Sequence, residues 1–252
     1  MIITNEEQFQ GISQSSEVAA KVLKELKAYS QPGKTTYELD LLAKDLLYSY
    51  GAKSAPKLAY DFPGYVCISI NNEFCHGIPS KKKYLNEGDI INIDVSVELN
   101  GYWSDNGESF LLASHDTKKL KLIETSRIIL NKAIENIKSG EPLSSVGFTI
   151  ETLANRNSYY VIRNLGGHGV GLSLHEDPDC ILNYPSYKEK GIFLNNSIVA
   201  IETFISTKSH YAVETNDGWT MVGDNGGLMA QHEHTIMVTE GKPIILTKAN
   251  GI

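Results

Sequence analysis

The sequence predicts one mixed α/β domain in which two similar helix–helix–strand series share a core and line a central cleft with their strands. Two observations carry this prediction. The same order of elements occurs twice along the chain, and an alternating stretch in the first series closes into a hairpin with acids on its polar face. A third sets the scale: 252 residues, 41% hydrophobic and 21% charged, bury roughly 70 to 75% of the unfolded surface and sustain one large core or two fused halves.

The elements follow in order. Thr4 with Glu7 reads as a capping box ahead of a helix running to about Ser30, where Gln31-Pro32-Gly33 stops it. Thr35 with Glu38 repeats the signal and opens ELDLLAKDLLYSY (38–50), which Gly51 ends, and VCISI (66–70) follows as a strand. INIDVSVELNGYWSDNGESF (91–110) then alternates with a period of two around Asn100-Gly101, a pair suited to the positive φ angles of a type I′ turn. That loop sets Leu99 against Tyr102, so every cross-strand pair of residue numbers sums to 201, and Asp94 and Asp105 become diagonal neighbours. Their backbones should lie roughly 7 to 8 Å apart on one polar face. From Asp116 the order recurs: a long helix to Lys138, the break 139–142, a shorter helix through FTIETLANR (148–156) and a strand at YYVIR (159–163). Gly33 and Gly140 stand at matching places before the second helix of each series, which points to duplication with halves of about 1–115 and 116–252.

Composition excludes several classes. A net charge of −7 speaks against a generally basic nucleic-acid-binding surface, and Lys81, Lys82 and Lys83 read as a solvated loop. No run of 18 apolar residues occurs, and MIITNEEQF lacks a basic and an apolar leader region, so a soluble, unexported, cytoplasmic protein is expected. Cys67, Cys75 and Cys180 are expected as reduced thiols, with no CxxC zinc site.

Candidate chemistry gathers on the later strands. GGHGVGLSLHEDP (166–178) sets His168 among glycines, which keep bulk away from the imidazole, with His175 seven residues on. IVAIETFIS (198–206) and MAQHEHTIMVT (229–239) each hold a glutamate, Glu202 and Glu233, inside an otherwise apolar strand. A buried carboxylate needs a partner. Asp94, Asp105, His168, Glu202 and Glu233 thus carry a summed charge of −4, which two divalent cations would balance.

The order and spacing of these five residues, with CHGIP (75–79), HGVGLSLHE (168–176), DGWT (217–220) and QHEHT (231–235), resemble methionine aminopeptidase of type I over nearly the whole chain. The resemblance implies the pita-bread fold, a pseudo-twofold α/β domain whose central antiparallel sheets hold a dinuclear metal site. Only 26 residues separate His175 from Glu202, where type II relatives carry a long insertion. By the same resemblance Asp94 chelates one metal, His168 and Glu202 bind the other, and Asp105 and Glu233 bridge the pair. Two cations roughly 3.5 to 4 Å apart can share a water, lower its pKa and present hydroxide to a peptide carbonyl. Oxygen-rich ligation with one imidazole suits manganese, iron or cobalt and admits zinc. Glu202 is the expected proton acceptor, His175 a donor to the developing oxyanion, and His76 a donor near the scissile amide.

Phe62, Cys67, Leu174 and Trp219, with His76 and His175, align with the family's substrate pocket, where sulfur and aromatic surfaces suit a thioether. The implied activity removes an N-terminal methionine followed by a small residue, and Met-Ile termini should resist it because isoleucine is β-branched. Expected partners are nascent polypeptide N-termini, with transient ribosome contact, a monomeric state, no membrane and no specific nucleic acid. Some positions depart from the family pattern: Leu174 for an aromatic residue, Thr203 for proline, Ser104 for glycine, and Asn106-Gly107-Glu108 after Asp105. Two rivals are weighed. A proline-specific peptidase of the same fold would bring a further N-terminal domain, and a non-catalytic peptide-binding paralogue would have lost ligands.

Overall fold

The computed structural model describes residues 1–252. Its first series runs α1 (Glu6–Tyr29), α2 (Thr36–Ser49), β1 (Lys53–Ser54), α3 (Ala55–Tyr60), β2 (Cys67–Ile70), β3 (Glu73–Cys75), β4 (Ile90–Leu99) and β5 (Tyr102–Leu111). The second opens with α4 (Thr117–Glu135), α5 (Ser144–Arg156), β6 (Tyr160–Val161), β7 (Gly166–Gly169) and β8 (Glu176–Leu182). It continues through β9 (Ile198–Ser206), β10 (Ala212–Glu214), β11 (Met221–Gly223), β12 (Met229–Met237) and β13 (Ile244–Ile245) to a 3₁₀ turn at Lys248–Asn250.

Local chemistry sets the helix ends. At α2 the Thr35 hydroxyl accepts from the Glu38 N–H while the Glu38 carboxylate accepts from the Thr35 N–H at 2.8 Å, the reciprocal box expected there. At α1 the cap lies one residue later than expected: Asn5 accepts from the Gln8 N–H at 2.9 Å, and Gln8 accepts from the Thr4 N–H at 2.8 Å. The shift has a cause. Ile2 bridges Ser197 and the Ile3 N–H donates to Asn196, so the chain stays extended before it can coil. In the second series α4 ends at Glu135 rather than Lys138, and the Ile137 N–H tightens onto Ile134. Helix α5 starts at Ser144, before the apolar period begins. Only Tyr160–Val161 of YYVIR pairs as a strand, because Arg163 turns away to donate to His210.

The strands β1-β4-β5-β12-β9-β7-β8 form one antiparallel sheet in that order, with β2 beside β4, β6 beside β9 and β13 beside β12. A smaller sheet, β10-β11-β3, stands apart from it. The β4–β5 register is the one read from the turn: Leu99 faces Tyr102, Ser96 faces Asp105 and Asp94 faces Gly107. Its polar face is not a solvated one. Ile91, Ile93, Val95 and Val97 pack with residues of α1 and α2, while Ser96 and Asp105 on the other side are also buried. The alternation therefore separates a helix-facing side from a cleft-facing side, on which most residues are buried and Asp94 is half-buried. The second half repeats this, with Val199, Ile201 and Ile205 of β9 packed among residues of α4 and α5.

The two halves meet where β5 adjoins β12 through a single backbone pair, His232 with Glu108. Side chains extend that junction. The Thr235 hydroxyl accepts from the Asp105 N–H at 3.0 Å and donates to the Asp105 carbonyl at 2.7 Å, and the Gln231 N–H donates to Ser109 at 2.9 Å.

Replacing Thr35 by alanine removes one half of the α2 box and is expected to cost about 1 kcal/mol. For a chain of this size that lowers Tm by about 2–4 °C, measured by scanning calorimetry; an unchanged Tm would contradict the capping account.

Candidate active site

One cavity of about 570 Å³ opens on the cleft side of the large sheet. Every residue singled out from the sequence lines it: Asp94, Asp105, His168, Glu202, Glu233, His76, His175, Phe62, Cys67, Leu174 and Trp219. Strand pairing explains the convergence. Glu202 and Glu233 are direct partners across β9 and β12, and His168 pairs with Ala200, two residues along β9 from Glu202. Cys67 pairs with Asp94 across β2 and β4, so its thiol joins the same face.

Asp105, His168 and Glu233 bring one ligand atom each within 4.8 Å of one another, with Asp94 and Glu202 in the same cavity wall. His168 Nδ1 lies 3.0 Å from the Gly169 carbonyl, and a carbonyl only accepts, so Nδ1 carries the proton. Its Nε2 is then a bare lone pair, 3.9 Å from Asp105 Oδ2. Two acceptors facing each other at that range leave room for a cation bonded to both at about 2.0 to 2.2 Å. Asp94 Oδ1 and Glu233 Oε1 are buried with no hydrogen-bond partner. Orphaned oxygens of this kind are the mark of absent positive charge. The donor set fits divalent metal.

The electrostatics of the site agree. Desolvation pushes Asp94, Glu202 and Glu233 well above the usual carboxylate range, and Asp105 beside each of them adds to it. Asp105 rises too through desolvation, opposed by the Ser96 hydroxyl that donates to it at 2.8 Å. Desolvation brings His168 and His175 down to about 4, so both imidazoles are neutral at pH 7.

The remaining groups are placed by backbone devices. His76 adopts φ 55, a strained conformation for a non-glycine residue. Beside it Gly77 has no room for a side chain, since a Cβ would fall 2.2 Å from the Ile68 carbonyl oxygen. Asp217 receives the N–H groups of Trp219 and Thr220 at 2.9 and 2.8 Å, fixing the DGWT turn so that Trp219 meets Phe62 edge to face at 5.1 Å. The His175 ring lies on His168 with centroids 4.0 Å apart. Its loop is tied down by Glu176, which accepts from the Met1 ammonium at 2.6 Å and the Leu172 N–H at 3.2 Å.

Gln231, Cys75 and Tyr60 also belong to the site, though sequence reasoning gives them no role in it. Gln231 Nε2 lies 3.1 Å from Glu233 Oε2 and 3.4 Å from Glu202 Oε2, and its Oε1 accepts from Asn92 at 2.7 Å. Its position two residues before Glu233 on a strand was an available signal, because a period of two puts both on one face. Gly107 gives that amide its space: a Cβ there would stand 2.5 Å from Gln231 Oε1. For Tyr60, carried in from the end of α3, no pattern exists.

The profile of metallopeptidase family M24 matches residues 10–240. The chain belongs to this family. Methionine aminopeptidase 2 of Bacillus subtilis is 41% identical over 248 residues, covering 98% of this chain and 100% of that protein. Among solved structures, methionine aminopeptidase of Thermotoga maritima matches with a TM-score of 0.93 at 33% identity, covering 98% of this chain and 99% of that one. The enzyme of Rickettsia prowazekii matches at 0.92 and 34% identity, covering 98% and 100%. This M24 metallopeptidase therefore has the pita-bread fold that the resemblance implied.

A pH dependence follows for the metal-free protein. Carboxylates with raised pKa keep protons in the fold that the unfolded chain has already lost, so their stability contribution is present at low pH and lost as pH rises. The lowered histidines act in the opposite sense, but their contribution to this pH dependence fades as pH rises past their ordinary value of 6.5. Between pH 6.5 and about 8 the chelator-treated protein should therefore lose Tm. Added manganese should restore it, with the larger gain at the higher pH, since binding displaces protons. A Tm that rises across this window without metal would contradict the assignment.

Proposed function

We propose that this M24 metallopeptidase is a metal-dependent aminopeptidase that releases N-terminal methionine from nascent proteins and peptides whose second residue is small. The observation that carries the reading is one cavity in which five oxygen and imidazole ligands adjoin a wall of sulfur and aromatic groups. The relatives named methionine aminopeptidase support it at full length. All five ligand types are kept, which argues against a non-catalytic paralogue. We treat residues 1–252 as one catalytic domain. Nascent chains as substrates, transient ribosome contact, a monomeric state and a cytoplasmic setting complete the reading; no helix is long and apolar enough to cross a membrane. Ribosome co-sedimentation and size-exclusion chromatography test these last points.

Asp94, Asp105, His168, Glu202 and Glu233 would hold two divalent cations, manganese, iron or cobalt, with zinc also compatible. When bound, such a pair lowers the pKa of a shared water and polarises a carbonyl. Glu202 serves as the base. Its Oε2 is turned toward Gln231, while Oε1 makes no hydrogen bond within the protein and is free to take a proton. His175 donates to the oxygen on which negative charge develops, and His76 orients the amide from its strained backbone position. Phe62, Cys67, Leu174 and Trp219 enclose the methionine side chain, and flexible Leu174 replaces a flat aromatic wall with an adaptable one. Thiols at Cys67 and Cys75 stay protonated, because desolvation and the nearby carboxylates raise both well above the usual range.

The purified protein with manganese, iron or cobalt should cleave Met-Ala-Ser and leave Ala-Pro-Ala and Met-Ile-Ile intact, read by amino-acid release. Loss of methionine release under every metal would favour the peptide-binding alternative, and cleavage of Met-Ile-Ile would refute the small-residue rule. Glu202→Gln removes a ligand charge and the base together, so turnover should be nearly abolished and calorimetric metal affinity reduced. His175→Ala should lower kcat by about 10² to 10³, the usual loss on removing one oxyanion donor; a raised KM with unchanged kcat would make His175 a ground-state contact instead.

A further inference from the structure

The last residue of α3 reaches into the cavity and touches a group assigned a chemical role. The Tyr60 hydroxyl lies 2.7 Å from Nδ1 of His175, with ring centroids 5.6 Å apart. It has no other hydrogen-bond partner, and Nε2 of His175 has none within the protein. Asp61, which follows, sits in the left-handed region at φ 56 and ends the helix there, so the tyrosine is delivered at a fixed point.

We propose that Tyr60 is a positioning residue for His175: its O–H donates to Nδ1, holds the imidazole as the Nε2–H tautomer and leaves that N–H free to donate to a substrate carbonyl. A phenol is a better donor than acceptor, and Nδ1 is the acceptor within its reach. A neutral imidazole has one proton to place, so an accepting Nδ1 obliges Nε2 to carry it. The neighbouring ring gives the contrast. His168 Nδ1 donates to the Gly169 carbonyl, so its Nε2 is a bare acceptor suited to a cation. Two neighbouring imidazoles, tilted at 42° with centroids 4.0 Å apart, are thereby held in opposite tautomers by what touches Nδ1. One ring would present a lone pair to a cation, and the other an N–H to substrate.

The inference rests on the proposed function only for the substrate that Nε2 meets; the tautomer itself is tested separately. Nitrogen NMR of histidine-labelled, zinc-loaded protein, with His175 assigned by its loss in His175→Ala, should show Nε2 protonated and Nδ1 not. In Tyr60→Phe, which keeps the ring, the two nitrogens should move toward an average of both forms. An Nδ1–H form in the unaltered protein, or a spectrum indifferent to Tyr60→Phe, overturns the proposal whatever the enzyme cleaves. In peptide hydrolysis Tyr60→Phe should lower kcat about 5- to 10-fold, the scale of one hydrogen bond, with KM kept within about twofold. In a His175→Ala background the same change should have no further effect. An equal loss in both backgrounds would mark Tyr60 as a structural support of α3 and overturn the positioning role.

Discussion

Four carboxylates on one closed face of a sheet cannot all ionise unless positive charge stands among them, and the architecture around the cavity answers to that constraint. Within the chain alone desolvation and the neighbouring carboxylates raise Asp94, Glu202 and Glu233 well above their ordinary range, so protonation suppresses the charge. The amide of Gln231 and the hydroxyl of Ser96 are neutral donors to these acids, and the bare nitrogen of His168 is a further acceptor. No lysine or arginine lines the cavity. A cation of its own would neutralise the site and displace the metal it is built to attract.

Behind the ligands the sheet is held by a polar layer rather than by hydrocarbon alone. Ser104 bonds Ser16 of α1 at 2.9 Å, and Asn250 donates to Asn106 at 3.0 Å. Thr203 meets Ser126 of α4 at 3.0 Å, Ser126 contacts His232, and Lys27 pairs with Glu108. Positions 104, 106, 108 and 203 are four of the departures from the family pattern, and all carry their side chains away from the candidate ligands. Their effect runs through strand placement, not coordination. The layer is largely but not wholly satisfied: Glu108 Oε2 and His232 Nε2 are buried without a hydrogen-bond partner.

The hairpin was legible because a two-residue turn and strict alternation determine register together, and Asp94 and Asp105 followed from it. Glu202 and Glu233 stood out as acids in apolar strands, but their direct pairing across β9 and β12 joins residues thirty-one positions apart in number. Local pattern carries no such information, so the full set of candidate ligands needed the family resemblance. Tyr60 was invisible for a related reason. It comes from a six-residue helix whose approach to His175 is decided by packing between segments 115 residues apart. Helix ends were missed where distant contacts, such as Ile3 with Asn196, overrode a local cap.

The Asn100-Gly101 turn gives the site an unusual relation to change in chain length. Both residues have positive φ, at 53° and 89°, and a Cβ at Gly101 would meet nothing within 4 Å. Extra residues at this tip would loop into open space and leave every strand pair intact. One residue gained or lost between Tyr102 and Asp105 would instead carry the aspartate through the sheet to the helix side. Lineages descending from such a protein can therefore drift freely in length at the tip and scarcely at all three residues further on, a parity rule written by the pleat itself.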